Sequence, residues 1–497
     1  MPRPILIIGA GIAGLWTALK LAPQPVILLT GAPLGKGAAT GWAQGGVAVA
    51  AGPGDSADAH RQDTLAAGAG LTRPEAARAL ASGISGEIKA LRALGVPFEE
   101  DADGQLAMGL EAAHSFPRIA HIKGDQAGAL ILETLIREVR AAPHITLREG
   151  WHATALLPAT DGGCAGVVAR TPAGDRQTIT ARQTVLATGG YGGLFADTTS
   201  PRGARGQAMA MVARLGGEIR NPEFVQFHPT AIRTGADPLP LATEALRGDG
   251  AVLVDQTGRS ITAGQDLAAR DIVARAVHRA LQTGGGAYLD ARRAVGERFP
   301  DAFPGVFAAC MAAGIDPRRN PIPVAPAAHY TMGGIATDID GRTTIGGLWA
   351  VGECACNGLH GANRLASNSL AEGLVFGHRA AKALRSATRP RFTPLPASEP
   401  PVLPRIALNG LRRAMSDLAG VTRSEAGLRD LISRIGRLQA RYGDANEIRV
   451  AGMIAQAALA RTESRGGHYR EDWPQTAARA IDTRLNPVLE ARLVAAE

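Results

Sequence analysis

Two histidines and two arginines stand out by type and setting. His228 lies in Phe227-His-Pro-Thr230 and His329 in Ala328-His-Tyr330. Arg364 follows Gly361-Ala-Asn363, and Arg270 sits in Ala269-Arg-Asp-Ile-Val-Ala-Arg275. The histidines and Arg364 occupy Gly/Pro-rich stretches rather than amphipathic faces. A guanidinium meets a carboxylate through two parallel N–H bonds, and an imidazole adds a donor and steric definition. Converging from separate loops, these four would trap a dicarboxylate. Spacing alone does not bring them together; only folding can. The blander readings are a satisfied polar role for each histidine and an exposed helix arginine at 270, paired with Asp271 or Asp266.

A second chemistry is written at the start of the chain. Gly9-Ala10-Gly11-Ile12-Ala13-Gly14 is GxGxxG between an apolar run, Pro4 to Ile8, and a helical stretch, Leu15 to Leu21. The first glycine turns the chain, the second lets backbone amides approach a pyrophosphate, and the third allows close helix–strand packing. The helix N-terminus stabilises the phosphate charge. Position and flanks make this a dinucleotide site rather than a structural turn. Thr30 ends the next apolar run, Val26 to Leu29, where a carboxylate is usual; its hydroxyl can still reach a ribose. Thr40-Gly41-Trp42-Ala43-Gln44-Gly45-Gly46-Val47 reads either as a surface loop or as backbone laid against a flat ring system.

The elements that must position these groups are legible in part. The runs Thr184–Gly190 and Gly347–Glu353 are further apolar strands ending in glycines, as in a sheet whose carboxyl ends meet a ligand. The expected class is α/β: a Rossmann-like nucleotide-binding domain, discontinuous over residues 1–221 and 328–385. A capping domain of mixed helix and strand is inserted at residues 222–327, with a helix over 268–281. Six prolines between residues 386 and 405 mark a stiff linker. Residues 406–497 are expected to be helical, since Leu428, Leu431, Ile432, Ile435 and Leu438 recur at helical spacing with Arg429, Arg434 and Arg437 between them.

Composition bounds the answer. The 497 residues can bury a large core, and 62 glycines scattered without period suit many tight turns. The formal charge is +8, but only five cations are lysine. With no basic run interleaved with aromatics, a solvated surface accounts for the charge better than a nucleic-acid patch. Four cysteines without a CxxC pair suit a reducing cytoplasm and no metal site; Cys354 and Cys356 read as small core residues. Arg3 and the apolar run after it mimic a signal peptide, yet the glycines that interrupt it favour a strand and turn. No stretch is long and apolar enough to predict a membrane span.

Taken in order, GxGxxG, AQGG, ATGG, FHPT, TEALRGDGA, ARDIVARA, AAHYTMGG and HGANRLASNSL resemble the succinate dehydrogenase/fumarate reductase flavoprotein family. The resemblance runs from residue 5 to about 475, ending near Glu463-Ser-Arg-Gly-Gly-His468. It implies FAD held by residues 9–14, Thr30, residues 40–47, Glu353, Ser369 and Leu370, with Gln207 where many relatives have an aspartate. It implies substrate carboxylates held by His228, Thr243, His329 and Arg364, with Glu244 supporting the loop and Arg270 as the catalytic arginine of the capping domain.

Two positions divide the family. A histidine binds FAD covalently in the dehydrogenases, and Ala39 stands there, so noncovalent FAD is implied. Glu111 stands where dicarboxylate dehydrogenases have glutamine, and a carboxylate there attracts a substrate ammonium group; its alternative is a surface helix acid. Leu110, before it, replaces a usual arginine. The resemblance thus implies oxidation of L-aspartate to iminoaspartate, with oxygen or fumarate reoxidising the flavin, as the first step of de novo NAD biosynthesis. Transient contact with quinolinate synthase would fit that pathway. The competing readings are a soluble fumarate reductase or succinate dehydrogenase-type flavoprotein, a silent FAD-binding module, and a basic RNA-binding protein.

Overall fold

The computed structural model describes residues 4–389 and 391–486. The reading of Arg3, and that of the C-terminal region beyond residue 486, fall outside them. Ile5–Ile8 is buried throughout and is the central strand of a five-stranded parallel sheet. Across the sheet the order is Leu348–Ala350, Gln183–Leu186, Ile5–Ile8, Val26–Thr30 and Ile145–Glu149. Wholly apolar strands suit a sheet covered on both faces. Ile145–Glu149 (ITLRE) is the edge strand, and its polar, half-exposed pattern carries no such signal.

The helix after the glycine turn spans Ile12–Lys20, three residues earlier than its apolar spacing suggests, because Gly14 lies inside it. A Cβ at Gly14 would stand 2.1 Å from the Gly9 carbonyl oxygen, so the helix seats on its strand only without one. The long helix Asn368–Ser386 lies against it just as closely. A Cβ on Gly373 would meet Ile12 Cγ2 at 2.7 Å, and Thr17 donates to the carbonyls of Ala13 and Gly377.

The inserted region carries a four-stranded antiparallel sheet in the order Val225–Ile232, Ile322–Thr331, Tyr288–Asp290, Val252–Val254. Helix Arg270–Gln282 covers it through Val273 and Val277, within a core shared with Leu246, Phe299 and Val306. Strand Ile322–Thr331 runs through the expected 327/328 boundary, so the return to the nucleotide-binding region lies within a strand.

The proline-rich segment after residue 385 is no free spacer. Pro394 bridges Ala159, Arg389 pairs with Asp161, Arg170 pairs with Glu399, and Leu403 is buried. The segment is strapped along the three-stranded sheet His152–Pro158, Cys164–Arg170, Arg176–Thr180. Helices Arg405–Leu418, Glu425–Tyr442 and Asn446–Ala460 follow. Leu428, Leu431 and Ile435 face a core that also contains Phe195 and Met209, while Arg429 and Arg434 pair with Glu425 and Asp430 one turn away. Among the described residues no helix is long and apolar enough to cross a membrane.

Candidate active site

One cavity of about 1000 Å³ runs from the glycine turn to the seam between sheet and cap. Residues 9–13, Thr30, 40–46, Gln207, Glu353, Ser369 and Leu370 line it at one end. Glu111, His228, Thr243, Glu244, Arg270, His329 and Arg364 line the rest, and the two sets meet where Gly45 lies against Glu111. Gly14 and Val47 do not reach it. Gly14 acts through helix packing, and Val47 is buried in a short strand against Ala120.

The histidines lie in two paired strands, Val225–Ile232 and Ile322–Thr331, not in the loops that their Gly/Pro-rich setting suggests, and strand irregularities aim them. Gln226 pairs with Tyr330 and Phe227 with Ala328, so His329 is an extra residue on its strand. On the facing strand the register shifts again between His228 and Ala231, where Pro229 cannot donate to the ladder. The two rings meet edge-to-face with centroids 5.0 Å apart. Thr199 Oγ1 holds His329 Nδ1 at 2.8 Å. The Thr230 backbone N–H donates to His228 Nδ1 at 3.3 Å, which leaves the proton on Nε2; that buried atom has no protein partner. Burial, with Arg270 beside them, pushes both imidazoles well below their ordinary pKa, so both are neutral.

Arg364 lies over the Tyr330 ring, 4.8 Å from its centroid, and Tyr330 donates in turn to buried Glu372. Arg364 Nη2 donates to Gln226 Oε1 at 2.9 Å, while its buried Nε lacks a partner. Burial and the nearby Arg270 charge bring its pKa down to about 10.

Arg270 is the first residue of its helix, where the dipole disfavours a cation. It is buried and pairs through Nε with Glu244, not with Asp271 or Asp266. Burial raises the Glu244 pKa, but Arg270 and Arg247 outweigh it and hold the carboxyl below its usual range. Arg247 approaches the other Glu244 oxygen at 3.5 Å, extending a buried Arg270–Glu244–Arg247 line.

Glu111 is not a surface helix acid. It is 2% exposed and follows the short strand Met108–Gly109. Ser367 donates to its Oε2 at 2.6 Å. Ser367 has φ 57° at the start of helix Asn368–Ser386, and it serves this carboxylate rather than capping the helix. Burial first, then Glu244, raises the Glu111 pKa.

The dinucleotide end fits FAD by its own geometry. Gly9 has φ +111°, and a Cβ there would lie 2.1 Å from Ala187 O. Gly11 opens the Ile12–Lys20 helix toward the cavity, and Thr40 Oγ1 accepts from Ile12 N. Gln44 Oε1 is buried without a partner. Glu353 accepts from both the backbone and the hydroxyl of Thr331, and burial pushes its pKa up to about 7. Ala39 offers no nucleophile for a covalent link. Two side chains are more committed than expected. The Thr30 hydroxyl donates to Ala32 O, and both Gln207 amide atoms close their own loop, against Arg205 N and Gly203 O. Leu110 is exposed and lies outside the cavity.

Gln226, Arg247, Tyr330 and Thr199 escaped the sequence reading. Gln226 lies two residues before His228, so strand alternation was a signal that could have found it; no local pattern marks Tyr330 beside the bulge, or Arg247 and Thr199 outside the strand pair.

The FAD binding domain family matches residues 4–370, and the fumarate reductase flavoprotein C-terminal family matches residues 444–485. L-aspartate oxidase of Caulobacter vibrioides is 49% identical over 95% of this chain and 93% of its own. That of Mesorhizobium japonicum is 45% identical over 97% and 94%. Among solved structures, E. coli quinol fumarate reductase aligns with a TM-score of 0.89, at 28% identity over 97% of this chain and 94% of that one. Mycobacterium smegmatis Sdh1 in its apo form aligns with a TM-score of 0.83, at 30% identity over 98% and 94%.

Proposed function

The chain belongs to the L-aspartate oxidase family of FAD-binding proteins, and from that premise we propose that it oxidises L-aspartate to iminoaspartate. One observation carries the choice of substrate: a buried carboxylate, Glu111, stands beside a trap of two arginines and two neutral imidazoles. L-aspartate has two carboxylates for the trap and one ammonium for Glu111. Succinate has nothing to give Glu111.

Arg364, His228, His329 and Thr243 hold the carboxylates, and Arg270 orients the one nearer the cap. Glu244 neutralises Arg270, so the substrate does not meet an unbalanced row of cations. Glu111 fixes the amino group and with it the face on which the Cα hydrogen projects. The cap strand and helix cover this end of the cavity and exclude water. FAD would be held by residues 9–13, 40–46, Glu353, Ser369 and Leu370, and when bound it supplies the two-electron acceptor for hydride from Cα. Oxygen, or fumarate held by the same trap, takes the electrons onward.

The reaction opens de novo NAD biosynthesis. Iminoaspartate is unstable in water, so transient contact with quinolinate synthase, which would consume it, belongs to this reading, as does a cytoplasmic setting for four unpaired cysteines.

The test uses the purified yellow protein. Under argon, L-aspartate bleaches the flavin absorbance; in air it yields hydrogen peroxide. Succinate is run in parallel with an artificial acceptor. Turnover of succinate without turnover of aspartate overturns the proposal.

A further inference from the structure

Behind the two trap arginines lies a side chain that does not line the large cavity. Gln226 Oε1 accepts from Arg270 Nη1 at 3.0 Å and from Arg364 Nη2 at 2.9 Å. The amide is 1% exposed. Its orientation is fixed by its other end: Nε2 donates to Asn363 Oδ1 at 2.9 Å and to the Arg364 carbonyl at 2.8 Å. Asn363 is fixed in turn, because its Nδ2 donates to Asp271 Oδ1 at 3.2 Å, and Asp271 Oδ2 accepts from Arg275. The bonds therefore run in one direction from the trap arginines through Gln226 and Asn363 to Asp271, which accepts at its end and is held from the far side by Arg275. Reversing the Gln226 amide would set N–H groups against two guanidiniums, which carry donors only.

The partners of this chain come from two regions. Arg270, Asp271 and Arg275 belong to the cap helix Arg270–Gln282, whereas Asn363 and Arg364 lie in the loop before helix Asn368–Ser386. Two buried guanidiniums repel, and each lowers the favour of the other's charge. A neutral carbonyl with two lone pairs draws one N–H from each without cancelling either charge. A carboxylate in its place would satisfy both arginines and leave less for a substrate.

We infer that Gln226 is a positioning residue that sets the Arg270–Arg364 separation for one substrate carboxylate and, by staying neutral, keeps both charges free for it. This rests on the dicarboxylate reading of the trap.

Three variants test it, with wild-type turnover of L-aspartate as the control for that reading. Gln226→Met keeps the volume but removes the shared acceptor; KM for L-aspartate and Kd for succinate rise about 10- to 100-fold, the span expected for hydrogen bonds to charged groups, with a smaller fall in kcat. Gln226→Glu adds a competing carboxylate, and both constants rise further than in Gln226→Met. Asn363→Leu removes one of the two acceptors that hold the Gln226 Nε2 and leaves the Arg364 carbonyl as the other, so it loosens the amide and reproduces a small part of the Gln226→Met rise. FAD content and melting temperature are recorded for all three. Wild-type KM in Gln226→Met, or a Gln226→Glu variant that binds succinate as well as wild type, overturns the inference. So does equal loss of FAD and ligand affinity across all three, which marks a merely structural residue. Failure of wild type itself on L-aspartate overturns the parent reading instead.

Discussion

Replacing Glu111 by glutamine tests the amino-acid specificity with almost no change of shape. The site has room for nothing larger, since Glu111 Oε1 lies 2.4 Å from where a Cβ on Gly45 would stand. Ser367 can still donate to the new amide oxygen. What is lost is one negative charge. Arg247, Arg270 and Arg364 against Glu244 leave the buried group at net +2, or +1 with Glu111 ionised. Zwitterionic L-aspartate, at net −1, balances the second state. Succinate, at −2, balances the first.

A hydrogen bond between charged groups contributes about 1.5–3 kcal/mol, so kcat/KM for L-aspartate in Glu111→Gln should fall about 10- to 100-fold. Succinate should bind at least as tightly as in wild type. The substitution should not lower the melting temperature near neutral pH. A carboxyl with a raised folded pKa loses stability as pH rises above its unfolded value, and glutamine removes that loss. Steady-state kinetics with L-aspartate, succinate affinity from perturbation of the flavin spectrum, and thermal melts read all three. Unchanged L-aspartate turnover with weakened succinate binding would refute the charge argument and return Glu111 to a structural role.

Other perturbations separate trap, cofactor end and fold. Arg364→Ala removes a buried cation, and L-aspartate turnover should fall on the order of 10³-fold while FAD is retained, as absorbance of the purified variant will show; wild-type turnover sinks the trap. Glu353 holds its proton to about pH 7, whereas an ordinary carboxyl ionises near 4.5, so apoprotein stability should fall by about 3 kcal/mol as pH rises through that window and level off above it. Urea melts across that range should show a flatter profile in Glu353→Gln; identical profiles remove this linkage. Gly9→Ala sets a Cβ against the Ala187 carbonyl at a positive φ and should give little folded protein. At Gly11 a Cβ meets only Thr40 Oγ1 at 3.3 Å, so Gly11→Ala should fold and bind FAD more weakly. Equal folding yields for the two glycine variants would contradict the backbone argument.

How far the sequence could be read followed from how local each signal is. The strands Ile5–Ile8 and Val26–Thr30 lie inside the sheet and spell it in consecutive apolar residues, whereas Gln183–Leu186, equally buried, opens on two polar ones. Helix Glu425–Tyr442 spells its one buried face at helical spacing. The edge strand Ile145–Glu149 has half its surface in water and gives no such pattern. The proline-rich strap was read as a spacer because proline content reports stiffness, whereas its pairing with Asp161 and Ala159 depends on residues more than 220 positions away. The trap shows the same division. Residue types at 228, 270, 329 and 364 were visible. That His329 is the extra residue of a bulge depends on the register between Val225–Ile232 and Ile322–Thr331, and that Glu244 rather than Asp271 partners Arg270 depends on how the cap helix meets a turn 26 residues earlier. No single window of sequence contains that register.

Local preference and observed conformation disagree most where the chemistry sits. Arg270 places a cation at a helix N-terminus, Ser367 takes a left-handed φ without being glycine, and Pro229 interrupts a fully buried strand. Each is unfavourable alone. They persist because neighbours over-determine them: Glu244 and Gln226 hold Arg270, Glu111 engages the Ser367 hydroxyl, and the paired strand accommodates the extra residues. Beside them, His228 Nε2 and Arg364 Nε are buried without protein partners, against the rule that buried polar groups are bonded. Such atoms cost the apoprotein stability and become assets only when a carboxylate accepts from them. The same donors thus destabilise the folded chain alone and favour it with substrate bound, which is why the trap's function is written in the features a stability argument would remove.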